Sequence, residues 1–339
     1  MSLTAQMSGG TMGCSAMSRQ AHGGMNVKLL IRKFISMIVT ILAVAFLVFL
    51  AFDVIPGDPA TAQLGTQATP ERVEALREEM GLNRPFPVRF GEWLLDMLRG
   101  SMGTSYSYGT PVSSLVGDKI PITLTLTLMA FLIMLVISIP LGLYTARHEG
   151  GAADHIIMAV NQVIMAVPPF FSGILITLLF GLILRLFTPG GYVSYTQSIP
   201  GFVGYLFFPA LAIALPKAAM TVKLLRSCLN AEKRLDYART AYSRGNSTKE
   251  VMYRHLLKNA MIPVITFLGM TLSDMVAGSI VIEQVFNIPG LGRILLTSIS
   301  NRDYPVVEAV IVLLAFLVIF INFVVDCIYR KVDPRVRVE

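Results

Sequence analysis

Charge is scarce in this chain. Lys, Arg, Asp and Glu make up 14% of its 339 residues, against about 25% in an ordinary soluble domain. Residues 34–52, 120–146 and 156–184 hold no charged residue at all. That shortage excludes a typical soluble fold. Cysteine is equally sparse. Cys14, Cys228 and Cys327 supply neither a disulfide framework nor the spacing of a metal site. The Gly-Lys dipeptide is missing, so a nucleotide-binding P-loop cannot occur. Gly-x-Ser-x-Gly is missing too. His148, His155 and His255 fall in connecting segments, without the carboxylate–nucleophile company that acid–base work needs. We expect no catalytic residue, no metal site and no cofactor held by the chain itself.

What is abundant is apolar length. Hydrophobic residues are 54% of the total. A hydrocarbon core of about 30 Å needs roughly 20 apolar residues in helical form, and backbone in lipid must satisfy its own hydrogen bonds. Runs that are continuous rather than alternating argue against a barrel. The expected fold is all-α and polytopic, with six membrane spans. They are placed at Phe34–Phe52, Ile120–Ala146, Ile156–Phe187, Gly204–Leu225, Met261–Val285 and Val306–Tyr329. The second is expected to bend at Pro140 and the third to break near Pro168-Pro169, and Pro209 and Pro216 lie inside the fourth. These prolines mark either bends that serve transport or simple curvature around a bundle.

The net charge of +7 invites a nucleic-acid reading, but its distribution answers otherwise. Nineteen of the 28 basic residues fall in the N-terminal tail, at Arg147, in the stretch 217–258 and in the C-terminal tail. These faces alternate to one side, as the positive-inside rule requires. Both termini are therefore expected in the cytoplasm. Residues 1–25 are Ser-, Gly- and Met-rich and are read as a disordered tail, or as an over-long start before Met25. Residues 26–339 form the transmembrane domain. Within it, 53–119 is an extracytoplasmic insertion of nine acids and six bases. In that insertion Thr69-Pro70-Glu71 reads as a helix cap with proline at the first helical position. A second amphipathic stretch, Phe90–Leu98, carries Trp93.

Residues 226–260 form a polar insertion between apolar segments. It carries eight basic residues, with Lys217 and Lys223 just upstream, opposed by Glu232, Asp236 and Glu250. Helical composition runs to Ser243, and Gly245 can take the left-handed conformation that ends a helix. Ser247-Thr248-Lys249-Glu250 has the form of a capping box. Helix, glycine turn, helix is the expected local structure. Such a knob suits a groove on a cytosolic partner.

This stretch resembles the EAA loop of ABC-importer permeases. Counted from Gly245, Arg239, Thr240 and Ala241 stand where the general consensus has Glu-Ala-Ala, and His255, Leu257 and Lys258 stand where it has Ile, Leu and Pro. The likeness is closer to the dipeptide, oligopeptide and nickel permeases. Asp236-Tyr237-x-Arg239-Thr240-Ala241, Arg254-His255-x-Leu257 and Asn259-Ala260-x-x-Pro263 fit that variant. So do Ile55-Pro56-Gly57-Asp58-Pro59, Glu283-x-x-Phe286-x-x-Pro289-Gly290-Leu291-Gly292 and Arg302-Asp303-Tyr304-Pro305. The resemblance covers about residues 26–338. It implies the type I importer permease fold with cytoplasmic coupling helices, in the cytoplasmic (inner) membrane of a bacterium or archaeon. It also implies the first of two non-identical permease subunits, importing di- or oligopeptides or a solute such as a nickel chelate. Its partners would be the second permease, two cytosolic ATPases that bind ATP and Mg, an extracytoplasmic solute-binding protein and membrane lipid, with no nucleic acid. The coupling residues it implies are Asp236, Tyr237, Arg239, Thr240, Ala241, Gly245, Arg254, His255 and Leu257.

The main rival is a secondary, proton-coupled transporter. It needs ionisable groups within spans. Asp274 lies mid-span in the fifth segment, while Glu308 and Asp326 lie near the ends of the sixth. Asp274 is the one candidate for the translocation path. It meets either a substrate cation there or a structural partner.

Overall fold

The computed structural model describes residues 27–54 and 58–332, so the tail expected to be disordered, the Ile55-Pro56-Gly57 motif and residues 333–339 lie outside the described residues. Helices dominate what is described. They are α1 (Val27–Val54), α2 (Pro59–Leu64), α3 (Pro70–Glu79), α4 (Phe86–Leu98), α5 (Val112–Gly117), α6 (Ile120–Arg147), α7 (Ala152–Ala166), α8 (Pro169–Ile176), α9 (Ile199–Lys233), α10 (Asp236–Ser243), α11 (Thr248–Glu250), α12 (Leu257–Val285), α13 (Leu291–Ser300) and α14 (Tyr304–Val332). One isolated bridge, Thr104 to Pro111, is the nearest approach to a sheet among them.

Five helical stretches are long and apolar enough to cross a bilayer, and the α7–α8 pair makes a sixth crossing if counted together. That pair bends by 105°. Pro168 removes an N–H and forces Val167 into extended backbone at φ −83° and ψ 122°. Pro140, Pro209 and Pro216, in contrast, lie inside continuous helices. The fourth and fifth spans exceed their expected limits. The fourth begins at Ile199 and runs on past Leu225 to Lys233. The fifth is continuous from Thr248 to Val285, through a π-helical stretch at Val251–Leu256. Apolar windows marked the lipid-length part of each helix and missed the polar extension.

The core is built on α9. Helix α6 packs along it, with α12, α7 and α8 around it. Leu126, Met134, Leu206, Leu225 and Met275 are fully buried there. A second cluster joins α5, α12, α13 and α14 through Val116, Val276, Leu291 and Val307. Helix α1 leans on α14 and leaves Phe34, Ile35, Val39 and Leu47 exposed. In the 53–119 segment, Thr69 caps α3 by accepting from the Arg72 amide at 3.4 Å. Trp93 packs on Phe49 of α1, ring centres 5.4 Å apart.

Away from the 226–260 segment, two buried carboxylates hold the bundle. Glu283 accepts from Thr123 Oγ1 at 2.6 Å and from the amides of Gly292 at 2.7 Å and Arg293 at 3.2 Å. A carboxylate there faces the positive end of α13. Asp303 accepts from Ser105 Oγ and from the amides of Tyr106 at 3.0 Å and Ser107 at 3.2 Å. Gly292 lets α13 close on α12, since a Cβ there would stand 2.4 Å from the Ile280 Cα. Backbone cannot yield as a side-chain tip can. Gly292→Ala is therefore expected to cost about 1–3 kcal/mol by overpacking. Gly204→Ala, with nothing within 4 Å of the added carbon, is expected to be neutral. Thermal melting of the two variants in detergent checks both.

Candidate coupling site

At the opposite end of the bundle, α9 leaves its last turn, breaks at Arg234-Leu235 and re-enters helix as α10. Ala238 and Ala241, three apart, share one face of α10 and are buried. Small side chains allow α10 to lie close on the π-helical turn, whose Val251, Met252 and Leu256 are also buried. A widened turn of this kind often marks a functional position.

Gly245 stands at the corner with φ +85°, a conformation that costs an L-residue about 1–2 kcal/mol. Its amide donates to the Tyr242 carbonyl at 2.9 Å. Asn246 Nδ2 donates to the Ala241 carbonyl at 3.0 Å. Ser247 Oγ accepts from the Glu250 amide at 3.3 Å, which starts α11. The expected helix, glycine turn, helix is what forms.

The other face of the elbow is open. Asp236, Arg239, Thr240 and Arg254 are exposed, Tyr237, His255 and Leu257 half-buried, and Ala241 sits beneath. Arg239 pairs with Asp236 at 3.6 Å and Arg254 with Glu250 at 3.6 Å. Arg234, Arg244, Lys249 and Lys258 are exposed and have no ion-pair partner among the described residues. The elbow thus offers unspent positive charge around Tyr242 and Tyr253. Burial, then the hydrogen bond to Glu232, pushes the Tyr237 hydroxyl above its usual range, with Asn259 acting in the opposite direction. It stays a neutral donor and ties α10 back to α9.

Both arms of the elbow run into the bundle. Arg226 on α9 grips the buried Asp154 of α7 with two bonds of 2.7 Å, and the Gly150 amide donates to the same carboxylate at 3.0 Å. Lys233 donates to the Ala146 carbonyl and reaches Glu149 at 3.4 Å. The second arm is the 38-residue helical run Thr248–Val285, about 57 Å long at ~1.5 Å per residue.

Asp274 lies along this second arm, well away from the elbow. Lys217 of α9 reaches it at 3.2 Å. Sequence reasoning counted Lys217 among the basic residues and missed this pairing. It also missed Arg226 with Asp154. No local pattern joins residues 72 apart in sequence. The Glu283 and Asp303 motifs were visible as motifs, without the anchoring that they provide.

Residues 138–338 match a family described as "Binding-protein-dependent transport system inner membrane component", and residues 26–127 match the corresponding N-terminal component. The chain is 33% identical over 308 residues to the "Probable peptide ABC transporter permease protein y4tP" of Sinorhizobium fredii, covering 91% of this chain and 98% of that one. It is 34% identical over 310 residues to the "Oligopeptide transport system permease protein AppB" of Bacillus subtilis, with 91% and 98% covered.

Proposed function

The chain belongs to the family of binding-protein-dependent transport system inner membrane components, and on that premise we propose that it is the permease subunit of an ATP-driven importer of di- or oligopeptides. It forms half of the pore with a second, non-identical permease. Two ATPases dock on the elbow from the cytoplasm and carry the ATP and Mg, and a solute-binding protein delivers cargo from outside. Both termini and residues 226–260 face the cytoplasm, while 53–119 lies outside. Relatives named for peptide and oligopeptide transport support the cargo class.

The observation that carries this reading is the unbroken helix from the elbow into the bundle core. Closure of an ATPase against Asp236–Leu257 pushes a rod whose far end holds Glu283. The α9 arm, clamped by Arg226 and Lys233, is the fulcrum. Two such chains rock between inward- and outward-open states, each favoured by one nucleotide state of the motor. Asp274, 66% exposed in the isolated chain, faces the path. Lys217 reaches it at 3.2 Å, so the one acid that the proton-coupled rival places mid-span already has an ion-pair partner.

Reconstituted vesicles separate the two classes. With the whole assembly and its binding protein present, peptide uptake is expected to require ATP and to survive a protonophore. Asp274→Asn should keep that ATP requirement. Uptake that persists without ATP and collapses with the protonophore contradicts the proposal.

A further inference from the structure

A cavity of about 530 Å³ lies at the end of the bundle away from the elbow. Its volume suits a small ligand. Walls come from α1, the start of α2, α3, the turn after it, α4, the loop before α5 and the start of α14, and none from α9 or α12. It is therefore separate from the Lys217–Asp274 face.

Two of the three guanidinium groups on its wall are already engaged. Arg84 binds Glu92 at 2.7 Å and Arg89 pairs with Asp53, while Arg77 stands 4.0 Å from Asp58 with its buried Nε lacking a hydrogen-bond partner. Glu308 is different. It is only 8% exposed, it lines the cavity, and it has neither hydrogen bond nor ion pair among the described residues. Arg89, whose field reaches it, is spent on Asp53, on the Leu82 carbonyl at 3.2 Å and on the face of Phe49. One turn before Glu308, Tyr304 also lines the cavity, with its hydroxyl buried and without a hydrogen-bond partner. Burial, then Glu308 and Asp303, pushes Tyr106 up to about 12, so that wall adds a neutral phenol. Phe49, Phe52 and Trp93 complete it.

A buried carboxylate keeps its charge only when a counter-charge or hydrogen-bond donors face it, and aromatic faces favour an organic cation over a bare one. The described residues hold no cluster of His, Cys, Asp and Glu fit for a metal. We propose that this cavity is a binding site for a small organic cation, whose ammonium or guanidinium group donates to Glu308.

Trp93 is the chain's single tryptophan and stands in the cavity wall, so its emission reports occupancy. The full chain in phosphatidylglycerol nanodiscs is titrated with agmatine. A saturable change is expected, with none from butanol or succinate. Glu308→Gln should weaken agmatine at least tenfold, and Glu308→Asp less. Adding phosphatidylethanolamine to the discs assigns the source. Weaker agmatine binding there points to a lipid headgroup, and unchanged binding to a free solute. If the Gln variant does not fold, equilibrium dialysis of labelled agmatine against the native chain decides. No saturable binding to the native chain, or unchanged affinity in a folded Glu308→Gln, overturns the proposal. No ATPase or uptake enters this measurement, so its failure leaves the transport reading untouched.

Discussion

Gly245→Pro is expected to abolish ATP-driven uptake while the chain still inserts at its normal level. Proline fixes φ near −65°, and this corner needs +85°. It also removes the amide that donates to the Tyr242 carbonyl. The corner must open, and α10 then leaves its seat on Val251, Met252 and Leu256. The apolar spans that drive insertion are unchanged, because the fault lies in a polar turn. Space is not the obstacle, since nothing lies within 4 Å of an added Cβ. Gly245→Ala is therefore the graded control. It suffers only the left-handed backbone penalty of about 1–2 kcal/mol and should keep part of the uptake. Membrane level by immunoblot and uptake in vesicles are measured side by side. Unaltered uptake by the proline variant would remove the elbow from the mechanism.

The second large effect is expected at Arg226. Asp154 is wholly buried and receives two of its hydrogen bonds from that one guanidinium. Arg226→Ala leaves the carboxylate with the Gly150 amide alone. Stranding one partner of a buried pair costs about 3–5 kcal/mol. The loss falls on the α9 arm at its junction with α7, so both folded yield and coupling should drop. Replacing both partners by apolar residues, as Arg226→Met with Asp154→Leu, should recover much of the stability, since a buried pair is often no better than packed hydrocarbon. It should not recover full uptake if the clamp is the fulcrum. Detergent melting temperatures of the single and double variants test the first statement, and uptake rates the second.

These two sites differ in how far the sequence exposed them. Gly245 was legible, because a glycine between helical composition and a Ser-x-x-Glu box has few local solutions. The six apolar segments were legible for the same reason: their length and lack of charge leave a bilayer as solvent. The break at Pro168-Pro169 followed from proline chemistry. Arg226 with Asp154, Lys217 with Asp274, and Glu283 under α13 were not legible. Each joins distant segments, and only the packing of α6, α7, α9, α12 and α13 brings them together. The helix limits failed where a polar extension carries a span beyond the bilayer, as in α9 and in the run from Thr248. The cavity around Glu308 was hidden too. Sequence placed Glu308 near a span end but gave no sign of the aromatic wall.

The most direct measurement is a cross-link. A photoreactive residue is placed at Tyr242, on the open face of the elbow, and another at Leu98, which is 78% exposed on α4. Both are irradiated in the intact membrane assembly. The expected result is a covalent adduct between position 242 and a nucleotide-hydrolysing subunit, and none with that subunit from position 98. An adduct between position 242 and the solute-binding protein, or an ATPase captured only from position 98, would contradict it.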